Sequence, residues 1–314
     1  MDLITSNAVK GFYKSAFAVE SPTDFIGMVA NVFESDQASE TYPFITSAPP
    51  LREWVGGRNA RGFKENGITV VNKHFETTLV IQKRDLRRDK LGVIRALVGD
   101  EVKRAQEHPA DILSTLMVNG ESYACYDGAY FFDTAHNEGD SGNQSNKISV
   151  DISALPSTNH GITTNPSVEE MQLAAGQGIQ QIISLKDDHG KPKNSGAKGF
   201  IVMVPPSFNW VAMQAIATPS QVAASQTAMS EMKKRFSIEF IVNPWLSWTD
   251  RFVVIRTDTF IKPFIFQRET AINISAKAEG SDFEHDNDAH EYGVDYWGNV
   301  AYGLWHNACL VTLT

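Results

Sequence analysis

Only two cysteines, Cys125 and Cys309, stand in the 314 residues. At most one disulfide is possible, two thiols alone cannot supply a structural zinc site, and a pair of buried free thiols is expected. No apolar run approaches the ~18 residues that a membrane-crossing helix needs. The longest clean run, Phe200 to Val204, stops at Pro205 and Pro206, and a helical span is excluded. Residues Met1 to Ser6 lack the basic start, apolar middle and small-residue cleavage site of a secretory signal, so a cytosolic origin is expected. Basic side chains are the scarcer sign, 28 against 37 acidic, for a formal net charge of −9. Neutralising a phosphate backbone requires clustered Lys and Arg, so a general polyanion binder is excluded and contact with nucleic acid is expected to be weak or local.

Catalytic signatures are missing as well. There is no Gly-x-Gly-x-x-Gly after a strand, no phosphate loop ending in Gly-Lys-Ser/Thr and no His-Glu-x-x-His. Gly139-Asp140-Ser141-Gly142, preceded by His136, imitates a serine-protease nucleophile motif. Its histidine lies almost adjacent instead of far upstream, and Asn143 replaces the glycine that an oxyanion loop needs, so a solvated turn is expected. Glu284 to Glu291 packs His285, Asp286, Asp288 and His290 together, but fits no zinc helix spacing. As a calcium loop from Asp282 it has Asn287 where glycine is required, and a charged exposed loop is expected. Lys191, Lys193 and Lys198 in the Gly190 to Gly199 stretch read as a solvated turn. No catalytic residue, cofactor or metal is assigned, which favours a structural or binding role over an enzyme.

The composition that remains, 42% apolar with 21% charged, is that of a folding globular chain. Val9, Phe12, Tyr13, Ala16 and Phe17 fall at helical spacing, as do Phe25, Met28, Val29, Val32 and Phe33 after Ser21 as N-cap and Pro22 in the first turn. Two short amphipathic helices are predicted there, followed by a Pro-punctuated linker or arm from Glu34 to Pro50. Ile68 to Gln82 alternates, with Phe75, Thr77, Leu79 and Ile81 on one face. That run is long for a strand inside a compact domain, and a projecting hairpin would house it.

Ile94, Leu97, Val98, Val102, Ala105, Ile112, Leu113 and Leu116 trace the strongest helical stripe, from about Lys90 to Val118. Pro109 predicts a kink or restart with His108 as the new cap, and Asn119-Gly120 a stop. Gly139 to Asn146 reads as a loop. Ser167 and Glu170 form a capping box opening a helix to Ser184 with Val168, Met171, Ala175, Ile179 and Ile182 buried. A loop over Asp187 to Gly199 then leads to a buried strand, Phe200 to Val204, and a helix opened by Ser207. Strands are expected at Ile238–Val242, Phe252–Arg256, Phe260–Gln267, Ala271–Ala276 and in the aromatic-rich tail. Helices early and strands late predict an α+β fold.

Tyr42-Pro43-Phe44, then Pro50-Leu51-Arg52-Glu53-Trp54 with Gly56 and Arg58, then Asn72-Lys73-x-Phe75-Glu76 carry a resemblance. So do Tyr126-Asp127-Gly128, Phe131-Phe132, His136, Gln144-Ser145-Asn146, Lys262-Pro263-Phe264 to Gln267-Arg268, Tyr292-Gly293-Val294-Asp295, and Tyr302-Gly303-x-Trp305. In this order they resemble the Mu-type major head subunit family of tailed phages and prophages. The family pattern has an arginine soon after Tyr-Gly-Val-Asp, where this chain has Tyr296 and Trp297.

The resemblance implies an HK97-like capsid fold. Its parts map to an N-terminal arm (1–50), an E-loop hairpin (51–89), a peripheral domain with a spine helix (90–148), an axial domain (149–248) and return strands of the peripheral domain (249–314). It implies a major capsid protein that self-assembles through pentamers and hexamers into an icosahedral shell around double-stranded DNA. A scaffold protein, a portal and a maturation protease are the implied partners, the host cytoplasm the place of assembly and the virion the destination. Inter-subunit contact through the E-loop is expected at Trp54, Arg58, Lys73, Phe75, Leu79 and Ile81, with the Phe75, Leu79 and Ile81 face covered only after assembly. Lys64, Lys73, Asn299 and Asn307 are available for the covalent crosslink that some such shells make. Two alternatives stand beside this reading: a nanocompartment shell of the same fold enclosing protein cargo, and a metal-dependent hydrolase using His285, Asp286, Asp288 and His290.

Overall fold

The computed structural model describes residues 6–18, 25–44, 66–88, 92–153, 161–217 and 235–314. Helix α1 (Ser6–Phe17) buries Val9 and Tyr13, four apart on one face, as its stripe predicts. The second apolar segment departs from expectation. Helix α2 (Ile26–Val29) lasts about one turn and passes directly into strand β1 (Ala30–Glu34), which pairs in parallel with the strand beginning at Phe264. Val32 and Phe33 stay exposed, so the apolar positions here do not form one helical face, and sheet pairing overrides the periodicity. Ser21 to Asp24 lie outside the described residues.

The expected arm also holds a strand. β2 (Ser39–Phe44) pairs antiparallel with β3 (Asn66–Val71), and Pro43, opposite Gly67, is tolerated because each strand of a two-stranded ribbon is an edge. The β-like run over Ile68 to Gln82, expected in a projecting hairpin, divides at Asn72 into β3 and β4 (Lys73–Gln82). Buried Asn72 donates to Gln37 O at 2.8 Å and accepts from Gln267 Nε2 at 2.7 Å, which fixes the corner between them.

After α3 (Lys83–Arg88), helix α4 (Val93–Val118) runs through Pro109 without the predicted restart. Proline forfeits a hydrogen bond there. Buried Ile94, Val98 and Val102 on one side of it, and Ala110, Leu113 and Met117 on the other, seat both halves. His108 is therefore a mid-helix residue and not a cap. Asn119 ends the helix as predicted, donating from Nδ2 to Thr115 O at 2.9 Å.

Strands β5 (His136–Asn137) and β6 (Asn143–Gln144) form a small hairpin within the predicted loop, and β7 (Lys147–Val150) follows. Helix α5 (Val168–Ser184) opens on the predicted capping box, Ser167 Oγ accepting from Glu170 N at 3.3 Å and Glu170 Oε2 from Ser167 N at 2.6 Å. β8 (Gly199–Val204), α6 (Asn209–Ala217), β9 (Ser237–Val242) and β10 (Arg251–Arg256) come next. The two strands predicted across Phe260 to Ala276 are one, β11 (Phe264–Lys277), whose irregular register near Arg268 to Asn273 explains the broken alternation. Helix α7 (Asp282–Asn287), capped by Ser281, stands where a charged loop is predicted, and β12 (Ala289–Tyr302) and β13 (Ala308–Leu313) complete the chain.

Two larger sheets result among the described residues. A mixed five-stranded sheet runs β7-β13-β10-β8-β9, and a four-stranded one runs β1-β11-β12-β4. With interleaved helices and mixed strand directions the class is α+β, as predicted. Phe200, Val202 and Val204 of β8 face a core shared with α5 and α6, whereas Ile201 and Met203 face a second core with the C-terminal half of α4 and the Phe131–Phe132 pair. A third core lies between α1, the N-terminal half of α4 and the four-stranded sheet. Cys125 and Cys309 are free and buried. Of the four strands after residue 249, β11 and β12 enter the four-stranded sheet and β10 and β13 the five-stranded one.

Candidate functional site

The four-stranded sheet has one face on its own helices; on the other, the β2–β3 ribbon covers β11 at Gln267, while the side chains along β4 are exposed among the described residues. Along β4 and β12, Phe75, Leu79 and Ile81 point the same way as Tyr292, Val294 and Tyr296, toward α4 and α1. Ile81 and Tyr292 are buried, Leu79 packs against them, and Phe75 lies 4.5 Å from the His108 ring and 5.2 Å from that of Tyr296, centroid to centroid. The expectation that this face waits for a neighbour is thus corrected for Ile81, which α4 and α1 of the same chain already bury, while Phe75 and Leu79 are only half covered; β4 is built into the sheet. Lys73 is exposed at the start of β4, opposite Gly298. Trp54, Arg58 and Lys64 lie outside the described residues.

The opposite face carries His74, Glu76, Thr78, Val80 and Gln82 of β4, all exposed, beside Trp297, Asp295 and Glu291 of β12. Trp297 stacks on His74 at 4.5 Å, and Lys277 pairs with Glu291 at 2.9 Å. At the far end Lys83 bonds Glu284 at 2.8 Å, and this hydrogen bond, with the Gly280 N–H, holds the Glu284 carboxyl down at about 2. On the covered side Tyr13 donates to Glu101. Burial, more than any neighbour, pushes the Tyr13 hydroxyl and the Glu101 carboxyl above their ordinary ranges. Elsewhere Phe260 is 99% exposed in the loop before β11, and Trp210 and Met213 are exposed one turn apart on α6. Of the residues available for a crosslink, Asn307 is buried and donates to Ile261 O at 2.8 Å, while Asn299 donates to Val71 O at 2.8 Å.

The protease-like motif closes a turn of the β5–β6 hairpin. Ser141 Oγ accepts from Glu138 N and donates to Gly142 O, whereas the His136 ring nitrogens face Asp127 and Asn146. His136, fully buried, has Nδ1 2.6 Å from Asp127 Oδ2 and Nε2 3.2 Å from Asn146 Oδ1, and stacks on Trp305 at 3.9 Å. Trp305 Nε1 donates to Glu138 at 2.9 Å, as does the Tyr126 hydroxyl at 2.5 Å. Burial raises the Glu138 carboxyl and the Tyr126 hydroxyl and lowers Lys193, and it holds His306 well below the usual imidazole range. Residues that appear in the sequence only as scattered family markers therefore converge as a polar staple, tying the loop-rich stretch after α4 to the turn before β13. Nothing in their spacing announces this, since the partners come from four separate segments.

His290, buried on β12, faces Glu284 at 3.3 Å and Tyr292 at 3.4 Å, whereas the His285 and Asp288 side chains are exposed. No group of three or more His, Cys, Asp or Glu able to hold a metal occurs among the described residues, so the residues named for a hydrolase do not converge.

The fold is the HK97-like fold of phage capsids. The solved capsid of bacteriophage JBD30 matches with a TM-score of 0.54 over 95% of this chain and 67% of that one, at 16% identity. The profile of the Mu-like prophage major head subunit gpT family matches residues 4–156 and 247–312, and the chain belongs to that family. Among curated proteins it is similar to the Mu-like prophage FluMu major head subunit of Haemophilus influenzae, 34% identical over 122 residues, 39% of this chain and 40% of that protein. It is also similar to the major capsid protein of Escherichia phage Mu, 32% identical over 117 residues, 37% of this chain and 38% of that protein. Each match spans about two fifths of the relative's length.

Proposed function

We propose that the chain is a major capsid subunit that self-assembles, through pentamers and hexamers, into an icosahedral shell enclosing double-stranded phage DNA. The observation that carries this is the family match over residues 4–156 and 247–312. The half-covered four-stranded sheet and the exposed Phe260, Trp210 and Met213 support it, since a shell subunit must bury surface against copies of itself through heterologous contacts that close. A net charge of −9 suits a container, because a wall of negative potential discourages packed DNA from adhering. The chain acts as a structural protein and not an enzyme, is assembled in the host cytoplasm and ends in the virion. A scaffold protein, a portal and a maturation protease serve as its partners. The helix α4 acts as the spine of the peripheral domain and the five-stranded sheet forms the axial domain. Trp54, Arg58 and Lys73 serve as contact positions, and the outward row of β4 joins them.

Electron microscopy of the purified full chain, alone and with a co-expressed scaffold protein, tests this. Closed polyhedral particles containing DNA when made in the host are expected. A chain that stays monomeric under both conditions overturns the reading, and particles filled with one protein species would replace it with the nanocompartment.

A further inference from the structure

The ring of Phe260 is bare, yet the backbone that carries it is fixed. Its side chain is 99% exposed in the loop between β10 and β11. Asn31 of β1 donates from Nδ2 to Phe260 O at 2.9 Å and accepts at Oδ1 from Lys262 N at 2.7 Å, and buried Asn307 donates to Ile261 O at 2.8 Å. The Lys262 ammonium bonds Gly27 O as well. Three successive residues are thus tied down around an aromatic ring that water surrounds. Exposure of the ring is unfavourable, and a loop pinned in this way presents it in one place, so little further ordering is needed on contact.

Next to this loop, at α2, a groove of about 610 Å³ lies open, lined by Phe25, Met28, Ile241, Pro244 and Trp245. Phe25 and Met28 flank the Gly27 that holds Lys262, so knob and groove adjoin at the same element. Glu107 and Glu239 also line the groove, and the electropositive edge of an aromatic ring accepts them. We infer that the groove receives the Phe260 side chain of a second copy of the chain. Room is ample, since a cavity of about 150 Å³ already takes a benzene ring. A knob and a groove side by side form one self-complementary patch, which two copies related by a two-fold axis exchange reciprocally, each covering the other's ring. Met28 and Trp245, half-buried in the single chain, are closed by the same contact. This occupant rests on the shell reading above, in which copies meet.

Phe260→Ala removes a side chain that its own chain leaves uncovered, so the melting temperature of the unassembled full chain should stay where it is. The concentration at which particles form, followed by light scattering and sedimentation, should rise by about ten-fold or more. Particles assembled from an equal mixture of Phe260→Cys and Met28→Cys chains should give, on mild oxidation, a disulfide-linked dimer holding one chain of each kind, because Cys125 and Cys309 are buried. Mass spectrometry of the linked peptides identifies the pair. Unchanged assembly of Phe260→Ala while the parent forms particles overturns the inference and leaves the shell reading intact, as does absence of the mixed link. A Met28→Cys thiol still shielded from maleimide in particles of the Phe260→Ala background gives the groove to another occupant and overturns it too. A parent that never assembles defeats the shell reading and this contact together.

Discussion

The two large sheets obey different rules. Every residue of β8 is buried, and so are the four central residues of β10, because α5 and α6 cover one face of their sheet and α4 with the Phe131–Phe132 pair covers the other. In the four-stranded sheet the described face of β4 toward α4 is only partly closed, and Ile81 is the one buried residue of that strand. A strand enclosed on both sides takes its stability from its own chain. A strand enclosed on one side holds its register through that face and leaves the other to whatever lies next to it. The five-stranded sheet is thus the self-sufficient part of the molecule, and the four-stranded one is a platform.

The widest gap between the two regions should appear on truncating one aromatic in each. Phe252 of β10 is fully buried, and Phe252→Ala should lower the free energy of unfolding by about 3–5 kcal/mol. Phe75→Ala, removing a half-buried ring, should cost less than about half of that. Urea unfolding of the two variants measures both, and equal losses would erase the distinction between closed core and platform.

Two glycines sharpen it further, with opposite signs. A Cβ on Gly178 of α5 would sit 2.7 Å from Val254 and 2.9 Å from Val311, so Gly178→Ala must lift the helix from the closed sheet. Overpacking of about 1–3 kcal/mol should outweigh the gain of up to about 1 kcal/mol from helix propensity. On α4, Gly99 has open space around its Cβ position, and Gly99→Ala should stabilise by about 0.5–1 kcal/mol. Thermal melts of the pair report the sign, and stabilisation at Gly178 would mean that α5 packs more loosely than its geometry says.

The same contrast governs how much could be read in advance. Helices α4 and α5 and strand β8 are legible because burial repeats at a fixed period along each of them, and the Ser167–Glu170 box is a local signal complete in four residues. Pro109 misleads, since the packing of both helix halves outweighs one lost hydrogen bond. Phe25 to Phe33 misleads for the opposite reason: its apolar side chains satisfy a helical count, while parallel pairing to β11 places Val32 and Phe33 on opposite sides of a strand. The platform is half legible. Alternation reveals β4, and Tyr292, Val294 and Tyr296 alternate along its partner β12, but the corner at Asn72 depends on Gln37 and on distant Gln267. The ring cluster of Phe75, His108 and Tyr296 is not legible at all, being assembled from β4, α4 and β12 by tertiary contact alone.

A smaller effect separates local capping from tertiary burial. Ser167→Ala removes one half of the box at the start of α5, and about 1 kcal/mol should be lost in chemical unfolding. A loss as large as that of Phe252→Ala would show that the closed sheet depends on its covering helix more than on its own packing.

The smallest expected effect concerns how the free end of the platform is held. Glu284 of α7 accepts from Gly280 N–H, bonds Lys83 of α3 and faces His290 of β12, joining three elements through electrostatics instead of burial. Its carboxyl titrates near 2 in the fold instead of at 4.5, so the folded state favours the charged form. A depressed acid stabilises fully above its unfolded value and loses that contribution as pH falls from about 4.5 toward 2. The stability difference between the parent and Glu284→Gln should be flat above about pH 5, narrow as the solution is acidified, and shrink in high salt because the partners are partly exposed. A difference that widens on acidification, or that ignores salt, would mean that this end of the sheet is secured by packing after all, and the line between the two regions would have to be redrawn there.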